Sequence, residues 1–243
     1  MGLDRDTTFT WYGHACVEVR TPGDRVILID PWFGNPLSTR GVDSVTTCDL
    51  LLVTHGHGDH LGDAVALGSR LSPAWPCIHE LSLWLARTLP GGSDATIGMN
   101  KGGTVEAAGL RVTMTGADHS AGAWNAGGET TLYLGEPVGF VVELENGFRF
   151  YHAGDTNVFG DMRYIGELYH PDIALLPIGG HFTMGPREAA LAVELLGVRH
   201  VMPIHYGTFP ALAGTPAQLR TELDARGLND VEIHAPEPGG SVR

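Results

Sequence analysis

Residues 54–60 read Thr-His-Gly-His-Gly-Asp-His, so three imidazoles and a carboxylate fall within six consecutive positions, 55–60. Neutral imidazole is the commonest metal ligand among side chains, and packing so many together carries a desolvation cost unless something binds them. Gly56 and Gly58 let the backbone turn tightly between the ligands. A loop of alternating His-x-His-x-Asp-His aims its side chains in two directions, so it can serve two neighbouring ions. Three more residues extend the set: His119 in Gly116-Ala117-Asp118-His119-Ser120, Asp155 in His152-Ala153-Gly154-Asp155-Thr156, and His205 in Pro203-Ile204-His205-Tyr206-Gly207. The total is five histidines and two aspartates. Mixed His/Asp ligation suits Zn2+, and also Mn2+, Fe2+ or Ni2+. Two ions a few ångströms apart need a shared ligand, and Asp155, with two oxygens, is the residue chosen for that bridge. A water would complete it, with its pKa lowered to about 7 on the metal.

Stepping outward, each ligand is expected at the end of a strand, where a rigid sheet can present it. Alternation and β-branched residues predict strands at 8–12, 15–19 and 25–29, a meander, and a short buried strand at 50–53. Helices are expected at 63–71 and 80–89, then strands at 104–108, 110–115, 130–134, 137–144 and 148–152, with a hairpin turn at Glu145-Asn146-Gly147. The last third alternates: helices at 159–169, 186–196 and 216–226 lead to strands at 172–176, 200–203 and 231–234. Pro186 and Pro216 suit first helical turns, and Gly197 and Gly227 suit helix ends. Strand-rich halves, each followed by helices, imply two sheets packed face to face with helices outside.

Composition bounds the partners. The 243 residues carry 28 acidic and 15 basic side chains, net −13, which argues against nucleic acid as a partner because phosphate binding needs a basic footprint. At 43% hydrophobic the chain can bury a substantial core, and with no linker-like stretch it reads as one domain, 1–243. Cys16, Cys48 and Cys77 are odd in number and widely spaced, so no disulfide framework follows and a cytoplasmic location is expected. No apolar leader or membrane-spanning run is present in the sequence, so stable membrane insertion is not expected. The sequence leaves homo-oligomer formation open.

The order His55-x-His57-x-Asp59-His60, His119, Gly154-Asp155, His205 resembles the metallo-β-lactamase superfamily. The flanks Trp11-Tyr12-Gly13-His14-Ala15, Ile29-Asp30-Pro31-Trp32, residues 151–156, residues 176–184 and Pro203-Ile204-His205-Tyr206 are similar to its branch of metal-dependent hydrolases, relatives of ascorbate-6-phosphate lactonase and N-acyl-phosphatidylethanolamine phospholipase D. The resemblance implies an α+β fold, a four-layer αββα sandwich with the metals at one edge of the two sheets. It also implies His55, His57 and His119 at one ion, Asp59, His60 and His205 at the other, and Asp155 between them. It does not imply a substrate, because this superfamily hosts many reactions on one site.

The function expected is hydrolysis of an ester, lactone, thioester or phosphodiester in a small-molecule substrate, by a hydroxide that two metal ions activate. Asp59 would orient the nucleophile or relay its proton, and His14 or His181 would bind substrate or protonate the leaving group. The rival from another class is a non-catalytic metal-binding or ligand-sensing protein on the same scaffold. Di-iron oxygen and nitric-oxide reducers among the relatives carry an acid where His57 stands. His152 reads as facing away from Asp155 or supporting it. His79, His170, His200 and His234 read as structural or exposed. Trp32, Phe33 and Trp124 are aromatic candidates for a pocket wall, Gly179-Gly180 reads as a plain turn, and Arg163 and Arg187 are the cations that would favour a phosphorylated substrate.

Overall fold

The computed structural model describes Leu3, residues 6–124 and residues 130–243; the side chain of Trp124, one of the pocket-wall candidates, lies outside the described part. Strands β1 (Thr8–Trp11), β2 (Val17–Arg20) and β3 (Val26–Ile29) form the expected antiparallel meander. β4 (Leu50–Leu52) then lies parallel to β3. Next come α1 (Gly58–Leu61), α2 (Ala64–Leu71), β5 (Pro76–Ile78), α3 (His79–Leu85) and β6 (Ile97–Met99), with β5 and β6 paired in parallel. The middle holds β7 (Thr104–Ala107), β8 (Leu110–Gly116), the two-stranded β9 (Ala123–Trp124) and β10 (Thr131–Leu132), then β11 (Val138–Glu143) and β12 (Arg149–His152). The last third runs α4 (Met162–Tyr169), β13 (Ile173–Pro177), α5 (Pro186–Leu196), β14 (His200–Ile204), α6 (Pro216–Ala225), β15 (Glu232–Ile233) and β16 (Ser241–Val242).

Two larger sheets result, one ordered β16-β1-β2-β3-β4 and one ordered β15-β14-β13-β12-β11-β8-β7. Between them lies a core of Phe9, Val17, Ile27, Ile29, Val112, Met114, Phe140, Phe150, Met202 and Ile204. A second core, with Tyr151, Leu176, Ala189, Val193, Leu219 and Leu223, joins the other face of the seven-stranded sheet to α4, α5 and α6. Alternate residues of one strand divide between the two cores: Phe150 faces the partner sheet and Tyr151 the helices. β12, β13 and β14 are covered on both faces and read as continuous apolar runs for that reason. The helices α2 and α3 contribute Ala64, Leu67, Leu81 and Leu85 to the first core. This is a four-layer αββα sandwich, as the sequence implied.

The direction of pairing matters most for chemistry. β1, β3 and β4 run the same way in the first sheet, and β8, β12, β13 and β14 share one direction in the second. Their carboxyl ends therefore deliver the following loops to common edges. Local departures from the sequence reading are few. Residues 58–61 form a single helical turn with His57 at its N-terminal boundary, so Asp59 and His60 project from a helix rather than a loop. The helix expected over 80–89 ends at Leu85, and the strand expected over 130–134 is two residues, Thr131–Leu132. β5, β6 and β16 are too short to show a period of two. Among the described residues no helix is long and apolar enough to cross a membrane.

Candidate metal centre

Six of these seven carboxyl ends, all but that of β13, carry one part of a single cluster. His14 follows β1, Asp30 follows β3, His55 follows β4, His119 follows β8, Asp155 follows β12 and His205 follows β14. His14, Asp30 and His205 all sit in the left-handed region, at φ 54°, 45° and 54°, a conformation that non-glycine residues hold only where surroundings over-determine it. The His205 N–H donates to the His14 carbonyl at 2.8 Å, tying the two sheets together at the cluster. Gly154, at φ 64°, makes the turn before Asp155; a Cβ there would stand 2.8 Å from Thr54 Cβ and 2.9 Å from the Val138 carbonyl oxygen. His152, fully buried, accepts the Gly154 N–H on Nδ1 at 3.1 Å and so shapes the same turn.

The centre of the cluster is Asp155. Its Oδ2 lies 3.0 Å from His205 Nε2, 3.3 Å from His60 Nε2 and 3.6 Å from His119 Nε2. One ligand-bearing set, His55, His57 and His119, brings its atoms within 4.8 Å of one another, and so does a second, His14, Asp59, His60 and His205. His55 and His60 also meet Asp155 in a third such group, so the two sets touch through it. His55 Nε2 stands 2.9 Å from His57 Nδ1.

Burial lowers the pKa of His55, His57 and His119, and the charge of His60 pushes His55 and His57 the same way. All three present unprotonated nitrogens at neutral pH. His60 behaves oppositely: burial disfavours its charge, yet the carboxylates of Asp155 and Asp30 on either side raise its pKa well above the ordinary value. Burial would raise the Asp155 carboxyl, but His60 and His205 hold it well below the carboxylate range.

Several buried atoms lack a hydrogen-bond partner: His60 Nε2, Asp155 Oδ1, and both ring nitrogens of His205. Orphaned buried polar atoms are rare and call for a ligand. Here they converge with imidazole and carboxylate donors, the set that zinc and the neighbouring first-row ions take. The residues therefore fit a divalent metal ion.

Around the cluster a second ring of contacts orients these side chains, and those contacts are not legible in the sequence. Asp30, fully buried, accepts His60 Nδ1–H at 2.7 Å and the Thr54 hydroxyl at 2.7 Å on Oδ2, and the Thr54 N–H at 2.8 Å on Oδ1. Thr54 Oγ1 in turn meets His55 Nδ1 at 3.1 Å. One carboxylate thus fixes the tautomers of a histidine in each set, leaving both Nε2 atoms facing inward. His14 meets Asp59 Oδ2 through Nε2 at 3.1 Å and Thr208 Oγ1 through Nδ1 at 3.0 Å. Burial lowers His14 to a pKa of about 4, against the raising effect of Asp59. The neutral ring therefore donates to Asp59 and accepts from Thr208. Burial would raise the Asp59 carboxyl, but the His14 hydrogen bond and the His60 charge hold it below its ordinary value.

Residues 25–206 match the domain described as the beta-lactamase superfamily domain. The chain belongs to the beta-lactamase superfamily. Within it the chain is a member of the UPF0173 metal-dependent hydrolases: it is 47% identical to the one from Rubrobacter xylanophilus over 96% of this chain and 95% of that protein. It is also 47% identical to the one from Methanopyrus kandleri, over 96% and 97%. Among solved structures, Igni18, a metallo hydrolase from Ignicoccus hospitalis, is 36% identical, with a TM-score of 0.84 and 97% of both chains covered. An isothiocyanate hydrolase from Delia radicum gut bacteria shares the fold at 19% identity, with a TM-score of 0.71 over 97% of this chain and 98% of that one.

In this member of the superfamily the seven residues singled out by spacing, His55, His57, Asp59, His60, His119, Asp155 and His205, all meet in the one cluster, and His14 joins them through Asp59. His181 stands exposed on the loop after β13, its ring edge-on to Phe182 at 4.4 Å. Gly180 in that loop donates its N–H to the Met184 carbonyl, which makes the Gly-Gly pair a turn. Trp32 lies 5.2 Å from the His14 ring and 6.2 Å from Phe209, giving an aromatic side to the cluster, whereas Phe33 is buried against Tyr12 at 5.4 Å. Arg163 and Arg187 line clefts of about 400 and 300 Å3 among the outer helices, and neither cleft shares a lining residue with the cluster. Thr54 and Thr208 gave no sequence signal; Asp30, closing the Val-Ile-Leu-Ile strand before Pro31, gave a weak one.

Proposed function

We propose that this chain is a hydrolase working with two divalent ions held side by side, Zn2+ foremost with Mn2+, Fe2+ and Ni2+ as the other candidates, on a small-molecule ester, lactone, thioester or phosphodiester. The observation that carries this reading is the position of Asp155 Oδ2, within 3.6 Å of nitrogens from both histidine sets while Oδ1 has no hydrogen-bond partner. In this reading His55, His57 and His119 hold one ion, Asp59, His60 and His205 the other, and Asp155 serves both. Bound ions supply Lewis acidity and bring the pKa of water to about 7. The name shared by the UPF0173 relatives, metal-dependent hydrolase, agrees with that chemistry.

The protein's own groups have separable duties. Asp59, about a third exposed, is the acidic group at the open side and can orient the attacking water or relay its proton. His14 Nε2–H keeps that carboxylate oriented, and Thr208 keeps His14 in the required tautomer. Trp32 and Phe209, on the same side, can receive an apolar part of the substrate. His181 is placed to bind substrate or protonate the leaving group in this reading, since its loop starts from the carboxyl end of β13 beside His205.

The test is His57→Ala, assayed for metal content by mass spectrometry and for turnover on lactone, thioester and phosphodiester panels. The variant is expected to lose metal and at least about a hundredfold in kcat/KM. Retention of two ions with full turnover would refute the ligand assignment. A wild-type protein holding two ions yet inert across the panels would favour a ligand-sensing role.

A further inference from the structure

At the far end of β14 from His205, a second group of metal-type side chains stands apart from the cluster. His200 opens β14 and pairs with Glu232 of β15 in parallel register. His234 follows two residues later, on the same side of the chain as Glu232, and its N–H donates to the Val201 carbonyl at 2.8 Å. His200 Nδ1 lies 3.0 Å from His234 Nε2, and Glu232 Oε2 lies 3.7 Å from the first nitrogen and 3.9 Å from the second. A point equidistant from these three atoms is about 2.1 Å from each, which is about the bond length zinc makes to imidazole and carboxylate.

A hydrogen bond between the two rings accounts for the 3.0 Å separation alone; it leaves the near-equal placement of the carboxylate unexplained. The rings are largely covered, 13% and 16% exposed, while Glu232 is 57% exposed, so remaining coordination positions face water. His200, at the start of β14, and His205, just past its end, are five positions apart, about 16 Å of extended chain, so this group is not part of the hydrolytic centre.

We propose that His200, Glu232 and His234 form an independent site for a divalent transition-metal ion, Zn2+ or Ni2+, that clasps the edge strand β15 to β14. Two imidazoles and one carboxylate select such ions over Mg2+ and Ca2+, which prefer all-oxygen shells. β15 pairs with β14 through two residues only, so the ion would add a cross-link where the ladder is shortest.

The experiment titrates the holoprotein, its main centre loaded and excess metal removed, with Zn2+ and separately with Ni2+ by calorimetry. One equivalent beyond the resident complement is expected, lost in His200→Ala and in His234→Ala while turnover stays at the wild-type level. Glu232→Gln is expected to weaken binding by about tenfold or more. Free Zn2+ at about a hundredfold over its Kd should raise the wild-type Tm by about 5–10 °C and leave that of His234→Ala unmoved. Should His234→Ala fold poorly, His234→Gln serves with the same readouts. The proposal is overturned if the wild-type holoprotein takes up no further ion, or if the His200→Ala/His234→Ala double variant takes up as many as wild type.

Discussion

Asp30 shows how a single side chain organises a site it does not enter. It accepts three hydrogen bonds, from His60, the Thr54 hydroxyl and the Thr54 amide, with no exposure to water. Removing a buried acceptor leaves its donors unpaired, at about 1–3 kcal/mol for each group. Asp30→Ala is therefore expected to cost about 3–5 kcal/mol in urea unfolding. It should also weaken metal retention by about 10–100-fold in chelator competition, because both His60 and, through Thr54, His55 lose their fixed tautomers. A variant with wild-type retention would show that the ligands hold their orientation unaided. The clustered residues themselves were legible because each lies within three positions of a glycine or proline after an apolar run, a local signal. The Asp30–His60 and His14–Asp59 contacts join residues 30 and 45 positions apart, and nothing in the local sequence states which loops will meet.

At the scale of elements, legibility followed length. α5 and α6 begin at Pro186 and Pro216 as their sequences require, and Gly197 closes α5 at φ 67°. The hairpin between β11 and β12 turns at Gly147, φ 84°, where the Asn-Gly step placed it. β5 and β6, three residues each, and β16, two residues, fall below the length at which alternation can be counted, and they exist because neighbours supply pairing partners. The α1 turn carries little sequence signal because glycines normally argue against helix; here the His57 carbonyl accepts the His60 and Leu61 N–H groups at 3.0 and 2.8 Å. Caps make a separable test. Thr215 Oγ1 accepts the Gln218 N–H at 3.2 Å, and Gln218 Oε1 accepts the Thr215 N–H at 3.0 Å. Thr215→Ala should cost about 1 kcal/mol, a fall of about 2–4 °C in Tm. Its kcat should be unchanged, since α6 lies in an outer layer against the second core. A larger loss of stability, or any loss of turnover, would mean that α6 communicates with the metal edge.

Across the whole molecule, the larger of the two cores encloses groups that the sequence marks only as reactive types. Cys16, Cys48 and Cys77 are free thiols, all buried in the core between and beside the sheets. Burial pushes Cys48 and Cys77 up to about 12 and raises Cys16 still further. With a pKa of about 12, roughly one thiol in 10⁴ is ionised at pH 8, and thiolate is the reactive form. The native protein is expected to show no fast phase with a thiol-specific disulfide reagent at pH 8, and three equivalents at once in denaturant. The same shifts set a sign for stability. The folded pKa lies above the unfolded value of about 8.5, so the unfolded chain loses protons first as pH rises. The contribution is complete below about pH 8.5 and declines toward pH 12, so the urea midpoint should fall steadily over that window. A Cys48→Ala/Cys77→Ala variant should show a shallower fall than wild type. An equal slope in the two proteins, or a prompt thiol reaction in the native state, would mean that the core opens locally at a free energy far below that of global unfolding.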